Sequence, residues 1–394
     1  MQESGYPSTI IVALPLPGHE HIYYLFHTGM ENGVGYTYAR YLYYTVIDMK
    51  ANNGLGRVVA KNQILMEGDL VWPAFVKHGN GRDWWIMGIQ RADTKHHLYL
   101  LSPKGLSGPY VQDIGPPFEA VEYAGESIFS ENGTMYLRHD GRMGLRLYDF
   151  DRCSGRLSNL RILPYEPGAL NSFYAAFSPN DRFLYLSRPG WVKSLDVQAY
   201  DLYGSYDTMA TWELNYYPHY PWATGFGFNQ LGPDGKIYWG NWTATWALNV
   251  MHQPDLPGDA ADCEEAGFLL PRWNYVGVCQ FPNYRLGEWD GSPCDTLNGQ
   301  RPGDGFTHLP YEPPRYRRDT TGYVVLPPIP GARCEDCTER ELELLNNPMA
   351  AVYARLQLQQ TGQLPPEWPK EKAERCGLFI TLPPRPEAVQ TEEK

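Results

Sequence analysis

The chain has 394 residues, enough to bury one large core or two smaller ones. Aromatics make up 14% of it, with 29 Tyr and 12 Trp beside 39 Gly and 34 Pro, a mixture of strand formers and turn formers that favours an all-β fold of short strands. A formal net charge of −12 repels phosphate backbones and argues against nucleic acid as a partner.

No run of about 18 apolar residues occurs, so no membrane-spanning helix is expected. Ile10 to Leu16 is apolar but short, broken by Pro15 and Pro17, and has no basic flank. It reads as a strand over Ser8 to Leu14, not as a signal peptide. A polar turn at Pro17-Gly18-His19-Glu20-His21 leads into Ile22-Tyr23-Tyr24-Leu25-Phe26. Tyr44 to Met49 then turns at Asn53-Gly54 into Val58-Val59, an outer hairpin of alternating residues.

The same sentence recurs down the chain. His78-Gly79-Asn80-Gly81-Arg82-Asp83 precedes Trp84 to Met87, and Phe129-Ser130-Glu131-Asn132-Gly133-Thr134 precedes Met135-Tyr136. Phe177-Ser178-Pro179-Asn180-Asp181-Arg182 precedes Phe183 to Tyr185, and Leu231-Gly232-Pro233-Asp234-Gly235-Lys236 precedes Ile237-Tyr238. Ser130 to Ser178 is 48 residues and Ser178 to Gly232 is 54. Outer hairpins follow at Leu145 to Asn159 and Leu195 to Leu202. A turn-plus-strand unit at that period predicts a β-propeller of four-stranded blades. Blade cores are expected near 8–60, 70–115, 120–165, 170–215 and 225–255, with a sixth, degenerate unit at Phe268 to Phe281. The ring is therefore six or seven blades, closed by six units alone or lacking its first blade.

Beyond about residue 300 the character changes. Residues 301–394 hold 26 of the 78 charged residues but 7 of the 55 aromatics, which separates a propeller domain (1–300) from a C-terminal extension (301–394). Thr338-Glu339-Arg340-Glu341 is a capping box. Asn347-Pro348 opens a second helix, whose face is Met349, Val352, Tyr353 and Leu356 and which ends at Gly362. Residues 387–394 read as a disordered end.

Few residues carry chemistry. His19-Glu20-His21 and His96-His97 lack a third metal ligand and read as exposed polar turns. Cys334-Glu335-Asp336-Cys337 with Cys376 reads as disulfide stapling of the tail, and Cys279 with Cys294 as a second pair. Cys153 and Cys263 have no evident partner. Asn132-Gly133-Thr134 and Asn241-Trp242-Thr243 fit the glycosylation pattern but read as plain turns. Asp149, Asp151, Asp196 and Asp201 recur at equivalent places, which favours turn capping over catalysis. No G-x-S-x-G, H-E-x-x-H, P-loop or sialidase-type Asp box is present. Tyr216, Tyr217, Tyr220, Trp222, Trp239, Trp242 and Trp246 form a dense aromatic cluster. Of these, Tyr216, Tyr217, Tyr220, Trp222 and Trp242 are the ligand-binding candidates, because aromatic faces stack on sugars or peptides.

Several of these phrases, in order, resemble the secreted β-propeller proteins of Bacteroidetes whose C-terminal sorting domain directs type IX secretion. They are Ser8-Thr9-Ile10-Ile11-Val12 with Pro17-Gly18, Tyr43-Tyr44-Thr45-Val46-Ile47-Asp48-Met49, Asp149-Phe150-Asp151-Arg152-Cys153-Ser154-Gly155, Phe177-Ser178-Pro179, and Pro282-Asn283-Tyr284-Arg285-Leu286-Gly287 through Gly291-Ser292-Pro293-Cys294-Asp295. The resemblance spans residues 5–297. It implies a propeller and an exported or cell-surface protein, and it brings no catalytic motif. Members carry a further blade and a signal peptide upstream and a Gly-rich sorting domain at the C-terminus. Here Met1 falls inside that upstream region, which predicts a truncated product or a variant exported differently. A missing first blade would also explain the odd count of seven cysteines.

The expected function is a non-catalytic propeller scaffold that binds protein or carbohydrate at one face, without a cofactor. One alternative is a propeller enzyme (lactonase, lyase or glycoside hydrolase) with a central-channel site and a bound Ca²⁺. Another is a subunit of a secretion or cell-envelope assembly. An enzyme should bring carboxylates or histidines from several blades to within about 3–5 Å of one point. A scaffold should show a channel lined by small or apolar residues.

Overall fold

The computed structural model describes residues 11–32, 37–91, 93–116, 126–140, 144–163, 174–188, 190–211, 225–240, 245–274 and 280–295. The predicted tail helices and the second domain lie outside the described residues. Within them the chain forms five four-stranded antiparallel sheets, each a meander in chain order. Blade 1 is β1 (Ile11–Pro15), β2 (Ile22–Asn32), β3 (Thr37–Asp48) and β4 (Arg57–Leu70). Blade 2 is β5 (Ala74–Lys77), β6 (Trp84–Ile89), β7 (Lys95–Ser102) and β8 (Gly105–Asp113). Blade 3 is β9 (Glu126–Phe129), β10 (Met135–Asp140), β11 (Gly144–Asp151) and β12 (Arg156–Leu163). Blade 4 is β13 (Tyr174–Phe177), β14 (Phe183–Arg188), β15 (Trp191–Asp196) and β16 (Asp207–Thr211). Blade 5 is β17 (Asn229–Leu231), β18 (Ile237–Trp239), β19 (Thr245–Met251) and β20 (Cys263–Asn274).

The repeated phrase is the turn between the two innermost strands of a blade. In blade 3 the Ser130 hydroxyl receives the Met135 amide (3.0 Å) and donates to Asn132 (3.0 Å). In blade 4 Ser178 does the same with Phe183 (2.9 Å) and Asn180 (2.8 Å). The turn then needs a left-handed residue, supplied by Gly81 (φ 68°), Gly133 (φ 73°), Asp181 (φ 58°) and Gly235 (φ 78°). Asp is among the few non-glycine residues that tolerate that region, which is why the slot reads Gly, Gly, Asp, Gly. As the sequence predicts, Asp151 caps the backbone of Cys153, Asp196 that of Gln198 and Asp201 that of Gly204. Asp149 departs from this role: it takes Arg161 and Asn159 across the strands of its own blade.

Side chains alternate across a strand, so a blade with neighbours on both sides is apolar on both faces. On β6, Trp84 and Ile86 pack against Val12, Phe26 and Leu42 of blade 1, while Trp85 and Met87 pack against Tyr136, Tyr148 and Phe150 of blade 3. On β14, Leu184 and Leu186 meet Leu137, Leu145 and Leu147 of blade 3, while Phe183 and Tyr185 meet Ile237, Trp239 and Met251 of blade 5. The core is thus a series of inter-blade seams, and each fully buried large side chain in them contributes roughly 1.5–3 kcal/mol. The first strand of each blade faces the axis, with β5 beside β9, β9 beside β13 and β13 beside β17. This is a β-propeller.

Three expectations are corrected. The apolar stretch from Phe268 does not start a sixth blade, because Phe268 to Asn274 completes the outer strand of blade 5. Blade 1 runs to Leu70, beyond residue 60, because β4 is a largely exposed edge strand with repeated register shifts and a left-handed Asn62, which erase its apolar alternation. His96 and His97 lie inside strand β7 rather than in a turn, and His96 is fully buried against the rings of Tyr136 and Tyr148.

Candidate functional site

The five inner strands enclose a channel lined by Val12, Ala74, Val76, Ser127, Ala175 and Leu231, among others. The segment 280–295 runs through its mouth and fastens the blades together. Gln280 donates to the Glu126 carboxylate on β9, and the Phe281 amide donates to Gln230 on β17 (2.9 Å). Asn283 bonds the Glu131 carbonyl (3.0 Å), and the Tyr284 hydroxyl bonds the Ala13 carbonyl of β1 (2.9 Å). Farther along, Asn80 and Glu288 form an isolated bridge and the Trp289 amide donates to Gly79 (2.7 Å). Glycine at position 81 permits this approach, because a Cβ there would sit 2.5 Å from the Glu288 nitrogen. We call this segment the strap. The cavity it leaves in the channel is about 100 Å³, below the roughly 300–1,000 Å³ usual for small-molecule sites.

Cys294 at the end of the strap is bonded to Cys153 in the β11–β12 turn, with a Cα–Cα distance of 5.5 Å. The expected Cys279–Cys294 pair is therefore wrong. Nearness in sequence suggested it, but beyond Tyr284 the strap crosses the turns of blades 2 and 3 and delivers Cys294 to blade 3. Cys279, Cys334, Cys337 and Cys376 lie outside the described residues, and Cys263 is a free thiol pushed up to about 12 by burial and by Glu265 and Asp262. Also outside them are the ligand-binding candidates Tyr216, Tyr217, Tyr220, Trp222 and Trp242. Trp239, from the same cluster, is a fully buried seam residue.

Polar groups do reach the channel mouth. The buried Glu126 accepts the Ala175 amide (2.7 Å), tying β9 to β13. Glu131, on the turn after β9, carries a carboxyl pushed up to about 7 by burial and by the neighbouring Asp181. Asp181 accepts the amides of Glu131 (2.6 Å) and Asn132 (2.9 Å), so blade 4 caps the turn of the preceding blade 3. Burial and Asp255 still push its carboxyl up to about 6, against the pull of those two amides. Among the described residues, no group of three or more His, Cys, Asp or Glu is placed to hold a metal ion. His19, Glu20 and His21 sit together in the β1–β2 turn.

Both raised carboxyls oppose folding when they ionise. Their share of the stability is complete below the ordinary carboxyl range near pH 4 and is lost as the pH climbs through about 6 and 7. Glu131→Gln should therefore raise the melting temperature at pH 8 and leave it nearly unchanged at pH 4.5. Thermal melts of both proteins across that range check this, and parallel pH profiles would refute it.

A second concavity, an open cleft of about 520 Å³, lies on the turn side between blades 3 and 4. Asn132, Asp149, Asp151 and Arg161 of blade 3 line it, with Asn180 and Gln198 of blade 4 and Trp289 of the strap. Sequence reasoning missed it, because its walls are repeat turns and its aromatic comes from a segment more than 90 residues away from Gln198. Exposed apolar side chains concentrate elsewhere, on blade 1, at Ile11, Leu55, Val58, Val59 and Ile64. No helix among the described residues is long and apolar enough to cross a membrane.

No protein-family model and no curated protein matches the sequence. Solved structures similar to it include the periplasmic gluconolactonase of Pseudomonas aeruginosa, 16% identical over 65% of this chain and 70% of that one, with a TM-score of 0.40. A Bacteroides uniformis protein provisionally assigned as a 6-phosphogluconolactonase is 14% identical over 68% and 71%, with a TM-score of 0.40. An Agrobacterium tumefaciens protein provisionally assigned as TolB is 13% identical over 71% and 87%, with a TM-score of 0.38.

Proposed function

We propose that this chain is a binding propeller of the cell exterior, a non-catalytic scaffold that holds a protein or carbohydrate ligand on a face of the ring. The observation that carries the reading is the strap. It fills the axis with the chain's own residues, so the open concave surface lies on the turn side. The Cys153–Cys294 disulfide supports an oxidising compartment, where such bonds persist. The apolar surface of blade 1 supports a place beside a neighbour in a cell-envelope assembly.

The alternative reading, a channel enzyme, is favoured by one observation, the Glu131 carboxyl near 7 at the channel mouth, where a general acid would be poised. Incubating the protein with a panel of sugar lactones and with envelope polysaccharides separates the two. We expect retention of a ligand with no turnover. Turnover abolished by Glu131→Gln would overturn the binding reading.

A further inference from the structure

The geometry points to the cleft between blades 3 and 4 as a binding site for a neutral glycan, with Trp289 as its stacking platform. The inference rests on the reading of the chain as a binding propeller and names the ligand class.

Trp289 is 37% exposed, an uncommon position for the largest side chain. Its backbone is fixed by the bond to Gly79, and the disulfide five residues later holds the strap down. The backbone that carries the indole is thus set in place before any ligand arrives. An indole face covers the C–H side of a pyranose without burying a polar group unpaired.

The rest of the wall is polar in a particular way. Asn132 and Asn180 spend their side-chain carbonyl oxygens on their own turns. No hydrogen bond is made by their NH₂ groups, nor by the Gln198 amide, among the described residues. Arg161 gives one hydrogen bond from Nη2 to Asp149 (3.0 Å) and one from Nη1 to the Val197 carbonyl (3.3 Å), which leaves each terminal nitrogen a second N–H to donate. Asp149 receives one bond on each oxygen, and a carboxylate can accept about four. The cleft therefore offers spare donors and spare acceptors side by side. A sugar hydroxyl both donates and accepts, so it can satisfy both. An anionic ligand would meet Asp149 and Asp151 on a chain of net charge −12. A cationic one would leave the spare donors of Asn132, Asn180 and Arg161 without acceptors. An apolar peptide anchor finds little greasy wall, because Phe150 and Val197 are already buried in the blades. At about 520 Å³ the cleft is in the size range of ligand sites.

Affinity electrophoresis tests this, with the full-length protein run through native gels containing xyloglucan, glucomannan, galactan or, as the anionic control, polygalacturonate. We expect retardation by at least one neutral polysaccharide and none by polygalacturonate. Trp289→Ala should weaken the retarding affinity roughly tenfold or more, as truncation of a central aromatic anchor does, and Trp289→Phe should recover part of it. If Trp289→Ala lowers the melting temperature, the exposed pair Asn180→Ala with Gln198→Ala provides the same reading without touching the strap. Full affinity in these variants, or retardation by polygalacturonate alone, would overturn the glycan site while leaving a binding propeller standing. Absence of retardation by every neutral polysaccharide would also overturn it. Lactone turnover would instead overturn the reading on which it rests.

Discussion

Replacing Cys153 by serine should lower the stability of the folded chain by about 4–5 kcal/mol, the largest single-residue effect expected outside the seams. The bond joins positions 141 residues apart, and in the chain-entropy account a closed loop of that length removes about 5 kcal/mol from the unfolded ensemble. The figure is an upper bound, since unfolded chains retain some compactness. Cys294→Ser should match it, and the double variant should cost no more than either single change, because both remove one bond. Denaturant melts under oxidising conditions measure this. Additive losses in the double variant would mean that the thiols contribute by packing and not through the bond. Gly79 supplies a structural control. A Cβ there would collide with both sulfurs, so Gly79→Ala should destabilise the oxidised protein and have far less effect on Cys153→Ser.

The second large effect is expected at Arg152, beside that disulfide. The residue is 3% exposed, and its guanidinium donates to the carbonyls of Lys77 (3.0 Å), His78 (3.3 Å), Asn132 (3.3 Å) and Gly287 (2.5 Å). Burial brings its pKa down to about 10, so it stays charged at neutral pH. One side chain thus binds blade 2, blade 3 and the strap. Arg152→Met keeps the apolar stem and removes the fork, leaving four carbonyls short of a donor. Charged hydrogen bonds contribute about 1.5–3 kcal/mol each, with strong overlap when they share one group, which predicts a net loss of about 3–5 kcal/mol. Arg152→Lys should recover little, because an ammonium cannot present the planar fork. Chemical denaturation decides it. A loss below about 1 kcal/mol in Arg152→Met would show that water replaces the guanidinium at no cost.

What the sequence made legible was local. The turn phrase, its left-handed slot and the alternating aromatics of β6 and β14 are properties of a few consecutive residues, and they suffice for a propeller. Blade limits failed where a strand was exposed or bulged, as in β4, or where an apolar run belonged to the previous unit, as at Phe268. Asp151, Asp196 and Asp201 were read correctly as caps because capping is a short-range act, whereas Asp149 turned out to hold Asn159 and Arg161, ten and twelve positions on. The partners of Cys294, the position of His96 between two tyrosines and the four carbonyls around Arg152 join residues 20 to 141 positions apart. No spacing rule reaches that far in one sequence. The cleft was hidden for the same reason: Asn132, Asn180 and Trp289 read separately as two turns and a stray tryptophan.

The bond from the Tyr284 hydroxyl to the Ala13 carbonyl has a consequence for biosynthesis. Its ends are 271 residues apart, and at roughly 5–20 residues per second a ribosome needs about 14–54 s to make the stretch between them. Throughout that interval the nascent chain is an open fan whose first blade lacks its last partner, and the Trp84 ring that Tyr284 meets edge-on in the finished fold goes without that contact. Production in a heterologous host should therefore depend on holdase chaperones, and slower translation near the end of the propeller should lengthen the interval in which nascent copies can associate.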